Sequence, residues 1–478
     1  MPRTAILNVV GLTPRLIGEH TPRIRAFAEG RKTARVAPAF PAVTCTAQST
    51  YLTGVPPARH GIVANGWYDR SLAEVQFWKQ SNHLVHGEKL WETLRRRNPG
   101  FTCAKLFWWY NMYSSADWSI TPRPMYPADG RKFFDIYAWP YSLRTAIKSD
   151  LGEFPFPGFW GPVAGRSSPQ GSPDCATRWI AESAQWVERQ HQPTLSLVYL
   201  PHLDYNLQRF GPLARDPSPH AKTPSLDPRI HPDLHEIDAI VGGLIDFYTS
   251  RDVEPVIVSE YGITNVQNPI HLNRVFRERG WLVVKEELGL ELLDAGASRV
   301  FAVADHQVAH VYVNDPSLLP AVRETLASVP GVASVLGPEE KREQGIDHPR
   351  AGDWIAVARE DAWFTYYYWV DDSRAPDFAR CVDIHRKPGY DPVELFTDPA
   401  LSPLALKARI AWRLLQKKLG FRMLMDLIPL DATLVGGSHG CRPADPLDWP
   451  IVIAPAGTGI PDALEAVEVR DALLRICG

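Results

Sequence analysis

The sequence predicts an α/β protein in which a largely parallel sheet is flanked by helices, with a small α+β cap inserted into it. Three observations predict this. Short, largely apolar runs at 5–10, 195–200 and 255–259 alternate with segments of helical periodicity. Strands that are apolar on both faces and joined by helices call for right-handed crossovers and a sheet covered on both sides. From about residue 300 the texture changes to closely spaced β-type runs, and it reverts after 376.

The elements follow in order. After the strand at 5–10, Pro38 and Pro41 favour an extended approach, because proline fixes φ and biases the residue before it away from helix. Thr44 and Thr46 are helix starters, Gly54 stops that helix after roughly two turns, and a loop then carries His60, Gly61 and Asn65. Residues 174–188 place Trp179, Ile180, Trp186 and Val187 on one helical face behind Asp174 as a cap. A long surface loop is expected at 213–233, rich in Pro, Ser and His. Next comes a helix at 232–248 through Leu234, Ile237, Val241, Leu244, Ile245 and Tyr248. Residues 300–376 read as the cap: an antiparallel sheet from 308–313, 332–336, 353–358 and 363–370, with one helix at 316–328. The core is then 1–299 and 377–478, rejoined through a helix at roughly 403–419 that Gly420 ends.

Composition excludes several classes of function. A formal net charge of −3 over 478 residues, with no long basic run, gives no reason to expect a nucleic acid polymer or an anionic membrane as partner. No segment has membrane-spanning length, and the first apolar run has the length of a strand rather than of a signal segment. Six scattered cysteines without a CxxC pair suit reduced thiols, so a cytoplasmic protein is expected. No pattern specifies an oligomer.

The richest stretch for function is 38–67. A hydroxyl at the start of the Thr44 helix faces unpaired backbone N–H groups and the positive end of the helix dipole, where phosphate binds and an alkoxide is stabilised. Local chemistry alone favours reading Thr44 as an ordinary helix cap, since Thr is a common one. Phe40, Pro41, Thr44, Thr53, Gly54, Pro57, His60, Gly61, Ile62 and Asn65 together resemble the nucleophile segment of nucleotide pyrophosphatase/phosphodiesterases of the alkaline phosphatase superfamily. The resemblance implies an alkaline phosphatase-like core. It also implies a metal-dependent hydrolase of phosphodiester or pyrophosphate bonds acting on a small phosphorylated substrate. Thr44 would attack phosphorus, and Asn65 would hydrogen-bond a phosphoryl oxygen.

A threonine hydroxyl needs a base or a metal to react near neutral pH. The family supplies metal with Asp and His at strand ends, and this chain follows that pattern only in part. Val10 stands where the first aspartate belongs; Asn8 lies two residues back on the same face, about 7 Å deeper. Asp204 keeps its carboxylate, but Gln208 replaces the histidine four residues on, with His202 and Asn206 as nearby substitutes. Glu260 and Tyr261 replace Asp and His in the third motif, leaving Tyr261 for substrate contact. His439, in Gly437-Ser438-His439-Gly440, matches, and reads as an imidazole exposed at a loop tip.

Outside these motifs, Asp383 and His385 share a face if extended and are further metal candidates, while Arg386 and Lys387 suit a phosphate. Asp305, His306 and His310 are weaker candidates of the same kind. The implied cofactor is one or two divalent ions. Oxygen and amide donors outnumber imidazoles, favouring Mg or Mn over Zn without resolving the metal. Two other functions fit the altered ligands: a phospho-ligand-binding protein that kept the fold and lost catalysis, and a hydrolase or transferase acting on a non-phosphate substrate.

Overall fold

The computed structural model describes residues 2–129, 131–165, 175–215, 225–421 and 423–478. Its centre is a nine-stranded sheet. The strand order is Ala463–Glu465, Lys32–Ala37, Ile451–Ala454, Val253–Val258, Arg3–Val9, Leu195–Leu200, Cys103–Leu106, Trp118–Pro122 and Ile136–Trp139. The middle of the sheet is parallel: Arg3–Val9 pairs in parallel with both Leu195–Leu200 and Val253–Val258. Antiparallel pairing enters toward the edges, through Ile451–Ala454 and Ile136–Trp139. Every residue of Leu195–Leu200 is buried, as a strand covered on both faces requires.

Register fixes where the site lies. Asn8 is opposite Tyr199 on one side and Val258 on the other, so the three central strands end at one edge. Their connections, beginning at Val10, His202 and Ser259, open together beyond the carboxyl ends, where open α/β sheets gather ligands.

The helix Thr44–Thr53 forms as its sequence predicts, ending at Gly54 with φ 67°. Every residue of it is buried, so it is a core helix carrying polar side chains, an arrangement that needs hydrogen-bond partners for each. Helices Ala176–His191 and His231–Thr249 also form; Asp174 and much of the expected 213–233 loop lie outside the described residues. The loop is shorter than expected, because a 3-10 turn at Pro228–Ile230 already leads into the helix.

The cap region departs from expectation in detail. Its antiparallel sheet has four strands, in the order Val300–Asp305, Val308–Val313, Trp354–Ala358, Val332–Leu336, and carries two helices, Leu319–Ser328 and Pro338–Glu343. The aromatic run at 363–370 is not one of its strands. Only Ala362–Phe364 is extended, and it pairs in parallel with Asn268–Ile270. The second apolar core also recruits Leu272, Phe276, Phe378, Tyr390 and Ile428 from outside 300–376. No helix among the described residues is long and apolar enough to cross a membrane.

Candidate active site

Thr44 is the first helical residue after the extended Val43. Its Oγ1 lies 3.1 Å from the Tyr261 hydroxyl, and that hydroxyl donates to Asp204 Oδ1 at 3.1 Å. With the Tyr261 proton directed to the carboxylate, the Thr44 hydroxyl is left to donate to the Tyr261 oxygen. The chain of hydrogen bonds therefore has a direction, from threonine to tyrosine to aspartate.

Asp204 is in the first turn of a helix. His202–Phe210 begins directly after its strand, so Asp204 and Gln208 sit one turn apart on one face. Gln208 Nε2 donates to Asp204 Oδ2 at 2.9 Å, and Gln208 Oε1 accepts from Tyr390 Oη at 2.8 Å. Burial pushes the Asp204 carboxyl up to about 7, against the two hydrogen bonds from Tyr261 and Gln208. Burial also holds the Tyr261 phenol well above its ordinary range, so it stays protonated.

Glu260 is fully enclosed. Its Oε1 accepts from Asn8 Nδ2 at 2.5 Å and from Gln48 Nε2, while Oε2 has no partner. Burial raises this carboxyl to about 8, countered by Gln48 and Asn8. Asn8, expected as a metal donor, gives its Nδ2 to Glu260, while its Oδ1 is buried without a hydrogen-bond partner. Gln48 was missed in the sequence although it lies four residues from Thr44, on the same helical face.

Asp305 and His306, at the end of the strand Val300–Asp305, supply the other wall. Asn65 N–H donates to Asp305 Oδ2 at 2.8 Å and Asn65 Nδ2 to Oδ1 at 3.1 Å, while Asn65 Oδ1 accepts from Cys45 N–H at 2.9 Å. Asn65 thus ties the start of the Thr44 helix to the end of the strand Val300–Asp305. Burial lifts the Asp305 carboxyl to about 6, opposed by its hydrogen bond from the Asn65 backbone. His306 Nδ1 is 2.8 Å from Asp305, and its ring lies between Tyr390 and His439, with centroids 3.6 and 3.7 Å away. His306 holds φ at 60°, a region non-glycine residues rarely occupy and one that clusters at functional sites.

His439 is buried rather than exposed at a loop tip. The glycines beside it allow this. A Cβ on Gly437 would lie 2.1 Å from the Leu207 carbonyl oxygen, and Gly440 has φ 127° with Gln307 against it. His439 Nδ1 lies 2.7 Å from the Ala42 carbonyl oxygen; its Nε2 has no hydrogen-bond partner and is 3.9 Å from Asp204 Oδ1. Burial, reinforced by His306, keeps this imidazole well below its ordinary range and therefore neutral.

The 383–387 segment does not join this cluster. Residues 384–386 form a turn, so Asp383 and His385 lack the shared extended face. His385 Nδ1 lies 3.4 Å from the Phe77 carbonyl oxygen, and the Asp383 backbone N–H donates to Glu394. Arg386 pairs with Asp377 at 2.8 Å. Lys387 is buried between Asp391 at 2.7 Å and Glu394 at 2.8 Å. Both cations meet carboxylates of the protein, which removes the basis for reading them as phosphate ligands. His310 is likewise satisfied by Val63 and Gly352.

Residues 4–391 match the family described as type I phosphodiesterase / nucleotide pyrophosphatase. The chain belongs to that family. It is therefore placed among the phosphoric ester and anhydride hydrolases of the alkaline phosphatase superfamily. Among solved structures, phosphonoacetate hydrolase from Sinorhizobium meliloti 1021, in complex with phosphonoformate, is similar at 13% identity and a TM-score of 0.58, covering 100% of this chain and 96% of that one. Human ectonucleotide pyrophosphatase / phosphodiesterase 5 is similar at 14% identity and TM-score 0.56, covering 99% and 94%. An inactive form of the murine protein in complex with AMP gives 13% identity and TM-score 0.54, covering 100% and 95%. No curated protein matches the chain. At these identities the structures establish the shared fold.

The family typically depends on divalent metal. The donors here depart from the family's two-ion set at several positions. Val10 offers none, the Tyr261 phenol is engaged between Thr44 and Asp204, and Glu260 Oε1 is held by two amides, which leaves Glu260 Oε2, Asn8 Oδ1 and His439 Nε2 as buried donors without a hydrogen-bond partner. Among the described residues, no three His, Cys, Asp or Glu side chains group as metal ligands.

Proposed function

We propose that this member of the family hydrolyses a small phosphodiester or pyrophosphate with Thr44 as nucleophile, its proton leaving through Tyr261 to Asp204. The observation that carries the reading is the directed Thr44–Tyr261–Asp204 hydrogen-bond chain. Thr44 Oγ1 forms a bond to phosphorus as the bond to the leaving oxygen breaks, the threonine proton passes to the Tyr261 oxygen, and the Tyr261 proton passes to Asp204. In the second half water attacks the phosphothreonine, and the Thr44 oxygen recovers its proton by the same route. Charge developing on phosphoryl oxygen faces the N-terminus of a ten-residue helix and the remaining N–H of the Asn65 amide. Substrate approaches from the Thr44–Asp204 side, where 5% and 8% exposure survive while Glu260 has none. Turnover of bis(p-nitrophenyl) phosphate tests this: Asp204→Asn should lower kcat about 10²-fold or more, as loss of a positioned base does. Unchanged turnover in that variant would refute the relay.

A second reading places one divalent ion between Asp204 and His439. It is favoured by the unpartnered, buried His439 Nε2 close to the carboxylate. Dialysis against a chelator separates the two: the relay retains activity, the single-ion site loses it and regains it on adding metal.

A further inference from the structure

The helix Pro403–Lys418 is built the wrong way round for a surface helix. None of its residues is fully buried. Its inner side is mixed: Leu406 and Ile410 are half-buried there beside Arg409 and Arg413, which reach Asp426 at 2.5 and 2.8 Å. Leu404, Ala408, Trp412, Leu415 and Leu419 fall on one stripe at helical spacing, and that stripe faces solvent. Leu404 is 79% exposed, Trp412 57% and Leu419 63%, and Phe421 extends the patch at 65%. An ordinary surface helix turns its apolar stripe to the core.

Charge indicates what covers this stripe. The helix carries Lys407, Arg409, Arg413, Lys417 and Lys418 and no acidic residue. No Asp or Glu occurs between Asp398 and Asp426. Asp426 compensates the two arginines, while Lys407 and Lys418 both border one edge of the exposed stripe. A net charge of −3 for the whole chain conceals this local excess. The segment lies beyond the residues 4–391 that match the family. Leu, Trp and Phe on one side of a helix with lysines along its margin is the pattern that lies in the plane of a membrane surface, with anionic headgroups meeting the lysines.

We infer that Pro403–Lys418 docks this hydrolase on an anionic lipid surface, Leu404, Trp412, Leu415 and Leu419 entering the headgroup boundary. Co-flotation of the full chain with phosphatidylcholine vesicles, with and without phosphatidylglycerol, tests this. Binding should require the anionic lipid and weaken with salt. It should fall about tenfold or more both in Trp412→Glu/Leu415→Glu and in Lys407→Glu/Lys418→Glu, since apolar burial and surface charge contribute together. Because these side chains are exposed, both variants should fold and turn over a soluble diester as the parent does. Failure to bind anionic vesicles, or binding that neither variant weakens, would overturn the inference. So would a parent dimer that Leu415→Glu converts to monomer, since a second copy would then cover the stripe.

Discussion

The ring of Tyr261 lies flat on the imidazole of His439, with centroids 3.7 Å apart and planes 7° from parallel. One residue departs from the family's metal-binding pattern and the other keeps to it, and they are packed as a pair. The stack fixes the phenol so that its hydroxyl falls between Thr44 and Asp204. Tyrosine here occupies a place in a hydrogen-bond chain.

Replacing Tyr261 by Phe keeps the stack and removes only the hydroxyl. The relay predicts a fall in kcat of about 10²–10³, the size of a lost proton-transfer group, with little change in KM. The variant should fold, at a cost of about 1 kcal/mol for the missing hydrogen bond. Steady-state kinetics beside a denaturant melt separate the two effects.

The pH profile should report Asp204. Burial raises its carboxyl to about 7, and the relay needs it ionised. Activity should therefore climb as pH rises through about 7, and Asp204→Asn should lose that limb together with the rate. A rate that is flat from pH 6 to pH 8 would contradict the assignment of the base.

Glu260 makes the opposite demand on stability. Burial lifts it from 4.5 to about 8, so the folded state holds a proton that the unfolded chain releases. Its contribution is full below about pH 4.5 and is lost as pH rises toward 8. Glu260→Gln retains an oxygen for the Asn8 and Gln48 amides and cannot ionise. Its Tm relative to the parent should rise between pH 6 and pH 9; thermal melts at the two pH values check the sign.

Local signals in the sequence read some of this site well and long-range ones not at all. Pro41, Thr44 and Gly54 specify a helix and its ends through backbone preference, and they were legible. The helix that carries Asp204 is signalled only weakly, by the i, i+4 spacing of Leu203 and Leu207 within a run of polar residues. His439 was read as exposed, since glycines suggest a loop tip; here they let a backbone pack against Leu207. The charged 383–387 run was legible as chemistry but not as chemistry already neutralised by Asp377, Asp391 and Glu394. Asp305 meets Asn65 across 240 residues, and no local pattern announces such a contact.

The nucleophile is tested most directly by quenching the enzyme during turnover of bis(p-nitrophenyl) phosphate and mapping the adduct by mass spectrometry. The account predicts a phosphoryl adduct on the peptide containing Thr44, absent in Thr44→Ala, which should also be inactive. Turnover retained in Thr44→Ala, or an adduct on another residue, would contradict it.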